Sequence, residues 1–332
     1  MADAVTYLLT QTDVEQALGM PEAVSAVEAA FRAYAQGKAQ MPPKPYLNFE
    51  TGDLRIMPAY LPELGLAGVK LVNVHPDNVE FPTVMATLAV FDPGTGFLLA
   101  IMDATYLTAV RTGAAGAIAA KYFARTDSTV ASFVGAGIQA YTQLQGLLVT
   151  VPSIKELLVC DVDADAAQAL AHKAQEGHGL AAESCSLDDA VRNADILVTT
   201  TPVRKPIVKG ALLRPGTHVN AIGADAPGKQ ELEHVILESA KIVVDNWEQA
   251  SHGGEINVAV TEGVISRDDI HAELGEVAAG LKPGRERPDE ITVFDSTGLA
   301  IQDLACAAHV YRCVMADEGA KAGLRTIDFL AR

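Results

Sequence analysis

"VASFVGAGIQAYTQL", residues 130–144, reads as a buried strand, a glycine turn and the start of a helix. Gly135, Gly137 and Ala140 fit the pattern G-x-G-x-x-A immediately after that strand. Gly135 permits the tight turn, Gly137 lets the backbone approach a pyrophosphate, and Ala140 keeps helix and sheet close. The helix start adds unpaired N–H donors and a partial positive charge. A glycine turn between strand and helix is also ordinary turn chemistry, so a second feature has to decide. "ELLVCD" (156–161) is another strand, and it ends in Asp161, about 20 residues beyond the turn, where a dinucleotide site places the acid that accepts ribose hydroxyls. Taken together, the two segments indicate a dinucleotide. Asp161 also selects NAD over NADP. Its carboxylate repels a 2′-phosphate, and "VDADAAQ" (162–168) adds two acids and no arginine.

Outward from this stretch, strands and helices alternate from about residue 127. "IKELLVCD", "ADILVTTT", "GTHVNAIG", "AKIVVDN" and "ITVFDST" are strands, separated by segments of helical composition such as "DADAAQALAHKAQEG". Such alternation predicts an α/β domain with a doubly wound parallel sheet of Rossmann type over 127–300. Residues 1–126 read differently. Val24, Val27, Phe31 and Tyr34 recur at helical spacing after Pro21, and then "YLNFE", "DLRIMPAYL", "AGVKLVNV", "TVMATLAVFD" and "GFLLAIMDA" follow as short strands. "DPGTG" (92–96) is a hairpin turn. An α+β domain is expected there, a mainly antiparallel sheet with a helix packed on it. The long apolar-faced helix in "GLAIQDLACAAHVYRCVMADEG" is expected to return to it.

The chain has 332 residues, enough for two domains, and a net charge of −17 from 42 acidic and 25 basic residues. These acids are scattered and read as a solvated surface, which repels nucleic acid and anionic lipid. The sequence has no apolar run long enough to span a membrane and no secretory signal at the start, so a cytoplasmic location is expected. The four cysteines form no CxxC pair and the eight histidines show no ligand spacing, so neither a disulfide framework nor a metal site is expected.

Against that acidic background, basic residues in apolar segments stand out. Lys70 interrupts "AGVKLVNV", pointing away from the face of Val69 and Leu71. It is either a surface lysine or an ammonium in a semi-apolar site suited to proton transfer. Arg55 ("GDLRIMPAY") and Arg111 ("AVRTGAAGAIAAKY") offer planar forks for a carboxylate, and Lys44 lies in the proline-stiffened "MPPKPYL". Jointly they suggest an acidic small-molecule substrate. Asp225 in "VNAIGADAPGKQEL" is placed for general base work, or it caps a helix beginning near Lys229. Candidate cofactor contacts are Thr112, Gly135, Gly137, Ile138, Gln139, Asp161, Thr200, Thr201, Ser296 and Thr297. The last four come from the strand ends "VTTTP" (198–202) and "FDSTG" (294–298), on the edge where such ligands bind.

The blocks "MPPKPYLNF", "GDLRIMPAYL", "GVKLVNVHPDN", "RTGAAGAIAAKY", "GAGIQAYTQL", "VNAIGADAPGKQEL", "HGGEI" and "FDSTGLAIQDLA" closely resemble the ornithine cyclodeaminase/mu-crystallin family over nearly the whole chain. Within it the chain is most similar to the archaeal-type alanine dehydrogenase branch. The resemblance implies a homodimer with NAD as cofactor, makes residues 1–126, completed by 301–332, the substrate-binding and dimerisation domain, and makes Gln139 a regular part of the turn. It implies catalytic roles for Lys70 and Asp225, and substrate carboxylate binding by Arg111 with Lys44 and Arg55 nearby. The implied reaction is NAD-dependent oxidative deamination of L-alanine to pyruvate and ammonia. Ornithine cyclodeamination, cyclic-imine or ketimine reduction, and nucleotide-dependent binding of the crystallin type are the alternatives.

Overall fold

The computed structural model describes residues 5–331. The chain divides into two compact units, one made of the described residues up to Arg111 and from Leu299 onward, the other of Thr112–Gly298. The division falls inside helix α3 (Thr105–Phe123), between Arg111 and Thr112.

In the first unit, strands β2 (Tyr46–Asn48), β3 (Asp53–Leu61), β4 (Leu66–Val74), β5 (Val84–Phe91) and β6 (Leu98–Asp103) form an antiparallel meander. Two short strands absent from the sequence reading extend it. β1 (Thr6–Leu9) pairs parallel to β6, and β15 (Arg325–Ile327) pairs antiparallel to β1. Each is so brief that alternation alone does not distinguish it from loop. The expected 92–96 turn is present, with Gly96 at φ +75° donating to the Asp92 carbonyl. Helix α2 (Met20–Ala35) begins with Pro21 in its first turn and buries Val24, Val27 and Phe31. The late helix α11 (Ala300–Ala316) belongs to this unit and packs on α2, β3 and β4. Its inner face is small and apolar, and Leu304 lies so close to β4 that a β-carbon at Gly68 would come within 2.8 Å of it. Glycine at 68 therefore brings helix and sheet together.

The second unit holds an eight-stranded sheet whose registered pairs are all parallel. Its strands are β7 (Val130–Val134), β8 (Glu156–Cys160), β9 (Ala181–Ser184), β10 (Ile196–Thr199), β11 (His218–Ala221), β12 (Lys241–Val244), β13 (Ile270–Glu273) and β14 (Thr292–Asp295). They lie in the order β13-β12-β14-β11-β10-β7-β8-β9. β10 and β11 are buried at every position, as a sheet covered on both faces requires. The direction of winding reverses between β7 and β10, and such a switch point leaves a crevice at the carboxyl ends of the strands. On the covering layer, α3 approaches helix α4 (Ile138–Thr150) closely. A β-carbon at Gly146 would come within 2.5 Å of the Gly113 carbonyl, and one at Gly116 would collide with the Gln143 side chain. The small residues after Arg111 are thus explained by helix packing.

Candidate active site

Gly135 follows β7 at φ +103°, a conformation that strongly favours glycine, and a β-carbon there would stand 2.5 Å from the Thr200 hydroxyl. Gly137 is the N-cap of α4, with no side chain capping the helix and open space where its β-carbon would lie. Ile138 beside it is 75% exposed. The first N–H groups of α4 therefore face an uncovered cradle, which fits a pyrophosphate. The two halves of the fingerprint meet in space. Asp161 accepts the Ala136 N–H of the turn at 2.7 Å through Oδ2, and the Asp163 N–H at 2.9 Å through Oδ1. Its carboxylate is thereby fixed at the rim of the turn, next to the fully exposed Val162.

The carboxyl edge of the sheet is built on buried acids, unlike the solvated surface expected of them. Glu231 accepts the hydroxyls of Thr199 and Thr201, each at 2.6 Å, and the N–H groups of Thr201 and Gly223. Glu255 accepts the N–H groups of Glu231 and Leu232, and Asp295 accepts that of Ile256 at 3.1 Å. Asp245 holds the N–H groups of Thr297 and Gly298 and the Thr297 hydroxyl. Each carboxylate substitutes for water around loop backbone that has no ladder partner. Burial raises the Glu231 carboxyl, and burial with the nearby Glu231 charge raises Glu255 well above its ordinary range. Burial and then the Asp245 charge push Asp295 up to about 8. The candidate contacts differ accordingly. Thr200 lies against Gly135, Thr201 and Thr297 are turned to buried acids, and the Ser296 hydroxyl is buried without a hydrogen bond among the described residues. Thr112 lends its carbonyl to Gln143 at 2.8 Å.

In the same unit Asp225 is partly exposed and receives a 2.6 Å hydrogen bond from the Lys229 ammonium. No helix begins near Lys229, so the capping alternative fails. Helix α7 (His234–Ser239) starts later, after Glu233, because residues 226–233 turn back to place Glu231 and Leu232 on Glu255.

In the first unit Lys70 sits opposite Val69 and Leu71 as expected, but its face of β4 is the interior one, and the residue is 1% exposed. Its ammonium donates to Asp303 Oδ1 at 2.7 Å and to the Thr108 hydroxyl at 3.3 Å. Arg111 donates from Nε to the same Asp303 oxygen at 2.9 Å and from Nη1 to Gln302 at 3.0 Å. Desolvation dominates at Lys70; the Asp303 charge opposes it, Arg111 and Lys44 reinforce it, and the outcome is a pKa lowered to about 7. Lys44 therefore belongs to the same electrostatic group. Arg55 lies on the same face of the sheet, its fork on Asp53 at 2.8 and 3.1 Å and its guanidinium over the Tyr46 ring. Lys70 and Arg111 share one carboxylate here, with the Lys44 charge in reach, an arrangement that attracts a substrate carboxylate and supplies a lysine able to exchange a proton near neutrality.

Asp303, Gln302 and Thr108 were not anticipated. The one available signal was an acid at Asp303 within an apolar helical run, matching the cations set in apolar strands and helices elsewhere.

The family model described as the ornithine cyclodeaminase/mu-crystallin family matches residues 4–318. The alanine dehydrogenase of Archaeoglobus fulgidus is 58% identical over 308 residues, covering 92% of this chain and 94% of that protein. A solved archaeal alanine dehydrogenase dimer with bound NAD superposes with a TM-score of 0.94 at 55% identity, covering 98% of this chain and all of that one. The Delta(1)-pyrroline-2-carboxylate reductase of Thermococcus litoralis, solved with NADH and L-proline, gives 0.92 at 36% identity, covering 97% and 100%. The chain belongs to the ornithine cyclodeaminase/mu-crystallin family.

Proposed function

We propose that this protein is an NAD-dependent alanine dehydrogenase, which oxidises L-alanine and releases pyruvate and ammonia, reversibly. The observation that carries the reading is the buried group of Lys70, Arg111 and Asp303 in a chain 58% identical to an alanine dehydrogenase. The glycine turn with its open cradle and Asp161 would hold the cofactor, and Asp161 disfavours a 2′-phosphate. NAD, when bound, supplies the hydride acceptor.

The chain's own residues do the rest. Nε and one Nη1 hydrogen of Arg111 are committed to Asp303 and Gln302, while Nη2 carries no hydrogen bond among the described residues. The end of the fork is left to take the substrate carboxylate in this reading. Lys70, with its pKa near 7, takes a proton from the substrate amine as the α-hydride leaves, giving iminopyruvate. Asp225, oriented by Lys229, takes a proton from the water that attacks the imine carbon and returns it to the nitrogen of the resulting carbinolamine. The C–N bond then breaks to release ammonia as the hydroxyl gives its proton to Asp225 and becomes the keto oxygen of pyruvate. A homodimer accompanies this reading. The related archaeal enzyme is a dimer, and the sheet face opposite Lys70 exposes Leu47 and Leu71, apolar surface that a second copy would cover.

Incubating the purified chain with NAD and each of alanine, ornithine and a cyclic imine separates the alternatives. Net NADH with alanine supports the proposal. Proline and ammonia from ornithine without net NADH would replace it by cyclodeamination. Tight NADH binding with no turnover of any substrate would leave the crystallin type.

A further inference from the structure

We propose that Asp303 is the positioning residue of the substrate unit, its Oδ1 fixing the Lys70 ammonium and the Arg111 guanidinium in one arrangement. The inference rests on the assignment of Lys70 and Arg111 to the substrate. Asp303 stands in the first turn of α11, where the helix dipole favours a carboxylate, and it is 1% exposed. Lys70 comes from β4 and Arg111 from α3, so a single oxygen ties three elements together at 2.7 and 2.9 Å. Gln302, the neighbouring residue, accepts Arg111 Nη1 and the Leu299 N–H that opens the helix. Arg111 is thus gripped on one edge by two consecutive side chains of α11.

The second carboxylate oxygen, Oδ2, is buried and has no hydrogen bond among the described residues. The carboxylate is buried and Oδ1 alone carries both cations, so its position sets theirs. The charged and titratable groups that bear on Lys70 are Asp303 and Cys306 from α11, Arg111 from α3 and Lys44 from the proline-rich segment. Among them Asp303 is the one anion, since burial pushes the Cys306 thiol up beyond its ordinary range. Without it, Lys70 would face two cations and the desolvation penalty unopposed, and Arg111 would lose its Nε anchor. Asp303 therefore keeps Lys70 protonatable near neutrality and leaves the site with a net positive charge for the incoming carboxylate.

The test is the titration of Lys70, followed by NMR in protein labelled with [13Cε]lysine and assigned with Lys70→Arg. In Asp303→Asn, of the same size but uncharged, the midpoint should fall by about 1–3 pH units. The limb of the alanine-dependent pH profile that reports Lys70 should move with it, and KM for alanine should rise about tenfold. An unchanged Lys70 midpoint in folded Asp303→Asn overturns the proposal. Asp303→Glu is the second variant if the amide does not fold. It keeps the charge but displaces the shared oxygen, so the midpoint stays near that of the wild type while KM rises. A wild-type KM in Asp303→Glu overturns the positioning role. Should the wild-type chain fail to oxidise alanine, the functional reading falls, while the Lys70 titration still decides the role of Asp303.

Discussion

Replacing Asp295 by asparagine should change how stability depends on pH. Asp295 is fully buried at the end of β14, and burial with the Asp245 charge raises its carboxyl from 3.8 to about 8. The folded protein thus holds a proton there that the unfolded chain has already released above pH 4. Stability from this group is fully present below the unfolded pKa and is lost as pH rises toward 8. The slope is about 1.4 kcal/mol per pH unit, so the loss between pH 5 and pH 8 is at most about 4 kcal/mol. Sharing of protons with Glu255 and Glu231 spreads this loss over more groups and reduces it. Asparagine keeps an acceptor for the Ile256 N–H and cannot ionise. Its amide hydrogens find no acceptor where Asp295 Oδ1, which has no hydrogen bond among the described residues, now lies, a roughly constant cost of about 1–3 kcal/mol. The readout is therefore the change with pH in the difference between variant and wild type, measured by urea denaturation of both. The difference should shift in favour of Asp295→Asn from pH 5 to pH 8, by no more than about 4 kcal/mol. A difference that does not vary over that range refutes the buried-acid account of the sheet edge.

Other expectations concern binding and turnover. Gly135→Ala forces a side chain into the left-handed region and against Thr200, so NADH affinity should fall at least about tenfold in a fluorescence titration, with some loss of thermal stability. Asp161→Ser removes the carboxylate that repels a 2′-phosphate, and the ratio of NADP to NAD efficiency should rise by about tenfold or more in steady-state assays. Lys70→Met should reduce alanine turnover by about 10²–10⁴-fold while NADH binding stays at the wild-type level.

Much of this was legible because it rests on local rules. The turn at Gly135 and Gly137, the strand ending in Asp161 and the alternation after residue 127 each follow from a short-range pattern, and the parallel sheet follows from their repetition. Lys70 and Arg111 stood out because a cation in an apolar run is costly unless something compensates it. What compensates it was not legible. Asp303 is far from both in sequence and is brought to them by the return of α11, a tertiary event without a local signature. The same holds for Glu231, Glu255, Asp245 and Asp295. As letters they resemble any solvated acid, and only the folded loops reveal the backbone N–H groups that hold them. The four-residue strands β9 and β13 were missed because their pairing depends on neighbours rather than on their own pattern.

Oxidation of L-alanine by this chain moves the α-hydride to NAD. Incubation with NAD and L-[2-2H]alanine, with the nicotinamide product and the keto acid examined by mass spectrometry, tests it directly. Deuterated NADH and pyruvate should form in equal amounts, with ammonia released. Unlabelled NADH, or no pyruvate while another amino acid or cyclic imine is consumed, would contradict it.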